Sequence, residues 1–205
     1  MKLLKKILNI PIVWNTLQGV VGANTFKYAM YPSVFKSRSG KLLDFGCACG
    51  NSTEAFLDFD YWGVDIDREA IKDASKKFAS YPNVKFEWAD LAQAPYKPDF
   101  FDHVLFAGTI HHLDPRLLPL FIKNLLVSLK VGGELHIFEI IRQPQKDNFI
   151  TKLFLHLDQG KYIKTESELK AIFKQEGYKI AETQFFPSPN SLIKLPDFVY
   201  FRIIK

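Results

Sequence analysis

One stretch constrains this chain more than any other: Lys41-Leu42-Leu43-Asp44-Phe45-Gly46-Cys47-Ala48-Cys49-Gly50-Asn51-Ser52-Thr53. A short apolar run ends in a carboxylate and passes at once into a turn of small residues. That pattern is a strand delivering its carboxyl end to a ligand. Gly46 permits a sharp turn, and the small residues Ala48 and Gly50 leave the backbone open to close approach. Asn51, Ser52 and Thr53 follow as candidate caps. They predict a short helix over 54–59 whose first amides face the same crevice.

The strand-then-carboxylate pattern recurs. Tyr61-Trp62-Gly63-Val64-Asp65 reads as a second strand, and Asp65 follows Asp44 by 21 positions. In βαβ nucleotide sites an acid about 20 residues on takes the ribose hydroxyls. A carboxylate suits such a diol because it accepts two hydrogen bonds at once. Val84 to Trp88 reads as a third strand and ends near Asp90. Three successive strands therefore end near an Asp, and parallel α/β sheets bind ligands at the carboxyl ends of their strands.

The pattern Asp44-x-Gly46-x-Ala48-x-Gly50 resembles the first motif of class I S-adenosylmethionine-dependent methyltransferases, D-x-G-x-G-x-G, with Ala48 where a second glycine is usual. A dinucleotide loop instead places its first glycine straight after the strand, as G-x-G-x-x-G. Phe101-Asp102-His103-Val104 with Ile110-His111-His112-Leu113 is similar to the same family, as is Leu129-Lys130-Val131-Gly132-Gly133, a turn usually written L-K-P-G-G. The resemblance covers roughly residues 40–140. It implies S-adenosylmethionine as cofactor, held by Asp44, Gly46, Cys47, Ala48, Gly50, Asp65, Ile66, Asp90, Leu91 and Ala107. In it Ile66 lies on the adenine face, and the acid at Asp90 accepts from the adenine amino group. His111, His112 and Glu139, with Asp158 and Tyr162, are candidates by position for a catalytic base; the sequence does not choose among them.

The implied fold is α/β: a Rossmann-like, mostly parallel sheet of seven strands with helices on both faces, the last strand antiparallel. Residues 1–205 read as a single methyltransferase domain, with 1–35 a helical cover, 36–140 the cofactor-binding core, and 141–205 a lid insert and C-terminal hairpin. The cover reads as two helical pieces split near Pro11. Further helices are expected over Asp67–Phe78, Leu117–Lys130, Phe149–Leu157 and, from the capping box Thr165-x-x-Glu168, to Gln175. The remaining strands are expected over Phe100–Ala107, Glu134–Glu139, Tyr178–Phe186 and Phe198–Ile204, with the loop Pro187–Asn190 joining the last two.

Composition narrows the partners. The 205 residues are 47% hydrophobic, enough for one sizeable core. The net charge of +5 is scattered, whereas nucleic-acid binders concentrate a basic stripe. No nucleic-acid partner is expected. The N-terminal apolar run is broken by Lys5, Lys6, Asn9 and Pro11, so neither a signal peptide nor stable membrane insertion is expected. Cys47 and Cys49 share one tight loop and read as reduced thiols of a cytoplasmic protein. No metal is expected. The acceptor is expected to be a small molecule with an oxygen, nitrogen or carbon nucleophile, of the ubiquinone/menaquinone-methyltransferase type. No Asn/Asp-Pro-Pro-Tyr/Phe motif follows the fourth strand, which argues against amide- and adenine-modifying branches. The alternatives are a cofactor-binding protein of this fold without methyl transfer, and an NAD-linked oxidoreductase.

Overall fold

A computed structural model describes residues 23–158, 160–188 and 195–205. The helical pieces expected before Ala23, and residues 189–190 of the expected loop, lie outside the described residues. Seven strands form one sheet: β1 (Lys41–Phe45), β2 (Asp60–Asp65), β3 (Val84–Trp88), β4 (Phe101–Ala107), β5 (Leu129–Ile141), β6 (Ile180–Phe186) and β7 (Asp197–Ile204). Their order is β3-β2-β1-β4-β5-β7-β6. The pairings among β1 to β5 are parallel, and β7 is antiparallel to both of its neighbours. This is the fold class expected from sequence.

The sheet is covered on both faces because its central strands are apolar on both faces. Leu43 and Val104 enter one buried cluster, and their chain neighbours Leu42 and Leu105 enter the other, as the two-residue period of a strand requires. The first cluster is closed by α3 (Leu118–Ser128) and α5 (Glu166–Gln175), through Phe121, Ile122, Leu125, Leu169 and Phe173. The second is closed by α1 (Ala23–Ser33) and the segment after it, through Met30, Tyr31 and Phe35. α2 (Arg68–Lys77) begins at Asp67, whose carboxylate accepts the amides of Glu69 and Ala70. α4 (Phe149–Leu157) begins at Asn148 in the same way. The capping box of Thr165 and Glu168 opens α5.

Two local expectations are corrected. The short helix expected over 54–59 is a 3₁₀ helix over Thr53–Phe56 alone, and Ser52 makes no side-chain cap bond. Phe56 and Phe59 are both fully buried. Their three-residue spacing fits the tighter 3₁₀ period, which lets a short connection bury both rings before β2 begins. The expected turn at Leu129–Gly133 lies inside β5. The strand continues through it, with a register shift against β4 between Phe101 and His103 and a break in the extended backbone at Gly132, whose φ of +78° is left-handed.

Candidate active site

Strand order reverses at β1, where β2 lies on one side and β4 on the other, so a crevice opens beyond the carboxyl ends of these strands. A cavity of about 580 Å³ occupies it. Of the ten residues expected to hold the cofactor, Asp44, Gly46, Cys47, Ala48, Asp65, Ile66, Asp90, Leu91 and Ala107 line this cavity. Gly50 does not: it packs on Phe78, whose Cε2 would lie 2.6 Å from an added Cβ.

The loop after β1 is held by β2. The amides of Gly46 and Cys47 both donate to the carbonyl of Val64, at 2.9 and 3.2 Å. The amide of Ala48 donates to Oδ2 of Asp65 at 2.9 Å, and that of Asp67 donates to its Oδ1, also at 2.9 Å. Ala48 has φ +47°, uncommon for a residue with a side chain. The Asp65 bond helps hold it there. Gly46 has φ +78°, and Thr109 Oγ1 would stand 2.7 Å from a Cβ added to it, so this position accepts no side chain.

The three carboxylates differ in environment. Asp44 is 3% exposed, and Tyr61 donates its hydroxyl to Oδ2 at 2.5 Å. Thr53 donates in turn to the Tyr61 oxygen. Burial pushes the Asp44 carboxyl up to about 7, against the opposing pull of the Tyr61 hydrogen bond. Asp65 and Asp90 are only partly buried. Asp90 accepts the Ala92 amide and the Gln93 side chain, both at 2.9 Å. Ile66 is 64% exposed although it lines the cavity, which leaves an apolar surface bare beside Asp65.

At the far side of the cavity, β4 leads through Thr109 into a 3₁₀ turn, Ile110–His112. His111 Nδ1 lies 2.5 Å from Oε1 of Glu139, near the end of β5, and His111 Nε2 lies 3.4 Å from Oδ1 of Asp158, just after α4. Glu139 is 1% exposed; it accepts the Ile140 amide at 2.8 Å and the His111 amide at 3.3 Å. Burial pulls the His111 pKa down, but Glu139 and then Asp158 outweigh it and hold it above the ordinary histidine value. His112 is displaced the other way, by burial and by His111. His111, His112 and Asp158 line the cavity, and Glu139 stands behind His111. Tyr162 meets His111 through its backbone, its amide donating to the His111 carbonyl at 3.0 Å. Gly160 packs so closely that an added Cβ would lie 2.0 Å from the His111 ring.

Sequence reasoning did not single out Lys27, which lines the cavity from α1 beside Tyr31. No local pattern marks it; its placement depends on how α1 crosses the sheet. Burial lowers its pKa while Asp158 and Glu139 oppose that shift. Phe154 and Leu155 of α4 add apolar side chains to the cavity wall.

Comparison with known proteins agrees with this geometry. Residues 42–133 match the family described as "Methyltransferase domain". Trans-aconitate 2-methyltransferase of Sinorhizobium medicae is 33% identical over 100 residues, which are 47% of this chain and 37% of that protein. The chain spans well under half the length of the curated relatives it matches. A SAM-dependent methyltransferase structure from Methanosarcina mazei superposes with a TM-score of 0.69 at 19% identity, covering 85% of this chain and 98% of that one. Phosphoethanolamine N-methyltransferase 2 of Haemonchus contortus, solved with S-adenosyl-L-methionine, superposes with a TM-score of 0.72 at 14% identity, covering 98% and 60%. The chain thus shares a Rossmann-like fold with these methyltransferase structures, and residues 42–133 match a methyltransferase domain.

Proposed function

We propose that this chain binds S-adenosylmethionine and directs methyl transfer to a small molecule that gives up a proton to His111. One observation carries the reading. A single cavity joins three strand-end carboxylates, Asp44, Asp65 and Asp90, to a histidine set between Glu139 and Asp158.

The residues present fit the cofactor. Asp65 keeps acceptor capacity beyond the two amides it already binds, as a ribose diol needs. Ile66 offers an apolar face for an adenine, with Asp90 beside the same cavity. Gly46, which has no room for a side chain, and the short Ala48 let a ligand approach the loop backbone. Bound there, the cofactor supplies a methyl group activated by the positive sulfonium.

The chain supplies position and a base. With Nδ1–H donating a hydrogen bond to the Glu139 carboxylate, neutral His111 keeps its Nε2 lone pair to accept the acceptor's proton. Glu139, buried and already hydrogen-bonded, then balances the imidazolium that forms. Holding nucleophile and methyl group in line supplies much of the remaining acceleration. The aromatic wall of Tyr31, Phe121, Phe154 and Phe198 suits a ring or enolisable acceptor of the ubiquinone or menaquinone type. α1 and the insert carrying α4 both supply wall residues, so they act as covers that keep water out. The free thiols Cys47 and Cys49 fit a reducing cytoplasm. Incubation with S-adenosylmethionine and a panel of phenols and 1,3-dicarbonyls tests the reading. It should yield S-adenosylhomocysteine with at least one acceptor, and His111→Ala should abolish that yield. Equal turnover in His111→Ala removes the base.

A further inference from the structure

A second polar cluster lies on the same sheet, buried under Phe35. His103 on β4 pairs in register with Glu134 on β5, and His136 follows two residues later on the same face. His103 Nδ1 and His136 Nε2 are 3.2 Å apart. Glu134 Oε2 lies 3.7 Å from the first and 3.6 Å from the second. Hydrogen bonding accounts for the His103–His136 contact alone. At 3.6 and 3.7 Å the carboxylate oxygen is beyond hydrogen-bond range of either ring, yet it faces both.

The three separations define a triangle. The point equidistant from its corners lies about 2.0 Å from each atom, the bond length of zinc to imidazole nitrogen and carboxylate oxygen. The surroundings are those of a ligand set. His136 Nδ1 is fixed by the Tyr200 hydroxyl at 3.0 Å, which orients Nε2 toward the triangle. Arg202 pairs with Glu134 Oε1, leaving Oε2 for the triangle, and a second carboxylate, Glu182, lies 2.9 Å from the same guanidinium. Phe35 stacks on His136 with centroids 3.9 Å apart and closes the site from above.

We propose that His103 Nδ1, His136 Nε2 and Glu134 Oε2 form a binding site for one zinc-type divalent cation. Two imidazoles and one carboxylate select a borderline first-row ion over calcium or magnesium, which take mainly oxygen. The site is separate from the methyl-transfer cavity. Ala107, at the cavity wall, lies four residues beyond His103 on β4, about 13 Å along the strand. The ion joins β4 to β5 directly, and to β7 through Tyr200 and Arg202. It acts as a staple under α1, and the methyl-transfer chemistry does not need it.

Zinc titration of the purified full chain, read against a chromogenic chelator and by thermal melting, tests this. One equivalent should bind tightly and raise the melting temperature. Cobalt in its place should give the visible absorption of a low-coordinate site with nitrogen and oxygen ligands. His103→Ala should lose the ion. Because His136 is fully buried and its replacement can unfold the chain, Tyr200→Phe provides a milder probe; it should weaken zinc about 10–100-fold, as loss of a partner to a ligating histidine does. His112→Ala, which disturbs the other histidine–carboxylate group at His111, His112 and Asp158, should keep the full equivalent. Absence of tight zinc binding by the folded wild-type chain overturns the proposal. So does loss of the ion in His112→Ala with retention in His103→Ala.

Discussion

His111 and Glu139 stand 28 positions apart in the chain, yet Nδ1 of the first lies 2.5 Å from Oε1 of the second. The contact exists because β4 and β5 are parallel neighbours that deliver both residues to the same end of the sheet. It makes the histidine more basic, and it does so inside the cavity wall.

A pH dependence follows. The base must be neutral to accept a proton, and Glu139 with Asp158 holds the His111 pKa above its ordinary value. The acidic limb of the rate profile should therefore lie above about 6.5, the ordinary histidine pKa. Glu139→Gln should move that limb to lower pH and cut turnover about 10²–10⁴-fold, the usual contribution of an acid or base. Stability has the opposite slope. A raised folded pKa stabilises the chain below the unfolded pKa, and this is lost as pH rises through the raised value. Denaturant titrations of wild type and Glu139→Gln at several pH values would show this limb flattened in the variant.

Asp44 adds a second titration. Its carboxyl is pushed from 3.8 up to about 7 in the folded chain, mainly by burial. The folded state thus binds a proton more tightly than the unfolded one, and stability should fall as pH rises from about 4 to about 7. Asp44→Asn should remove this fall, measured by chemical denaturation. An unchanged slope would mean that Asp44 stays ionised in the fold.

Asp65 should govern cofactor affinity. Asp65→Ala removes the proposed diol acceptor and the bond that holds Ala48. S-adenosylhomocysteine binding should weaken by about 1.5–3 kcal/mol, the range for hydrogen bonds to a charged group. Calorimetry checks the value, and an unchanged dissociation constant would place the hydroxyls elsewhere.

Gly160 should be intolerant of a side chain for the sake of His111. An alanine Cβ would lie 2.0 Å from the imidazole, so Gly160→Ala must shift the ring or the segment that carries it. Turnover should fall while S-adenosylhomocysteine affinity is kept, because the cofactor loop lies on the other side of the cavity. Equal loss of both would show that the segment supports the whole cavity.

The covers are testable without an acceptor. α1 supplies Lys27 and Tyr31 to the cavity, and the insert supplies Phe154, Leu155 and Asp158. Bound S-adenosylhomocysteine should slow hydrogen exchange in residues 23–35 or 142–164, read by mass spectrometry. Exchange unchanged in both would leave the cavity without a closing element.

Sequence made β1, β2 and β3 readable because each is a short run with apolar residues that ends at or near a carboxylate. Asp44, Asp65 and Asp90 do converge on one cavity. Two kinds of feature stayed out of reach. Local spacing did not reveal that the segment after Gly50 winds as a 3₁₀ turn, since that depends on burying Phe56 and Phe59 together. Nor did it choose among His111, His112 and Glu139, because the pairing of the first with the third is a contact between the turn after β4 and the end of β5. Lys27 reached the cavity only through helix placement, and the His103–Glu134–His136 triangle only through strand register.

The central claim is that one cavity holds S-adenosylmethionine beside a histidine base. Calorimetric titration of the wild-type chain with S-adenosylhomocysteine and, separately, with NAD tests it most directly. One molecule of S-adenosylhomocysteine should bind per chain, with NAD weak or absent. Tight NAD binding without S-adenosylhomocysteine binding would contradict it.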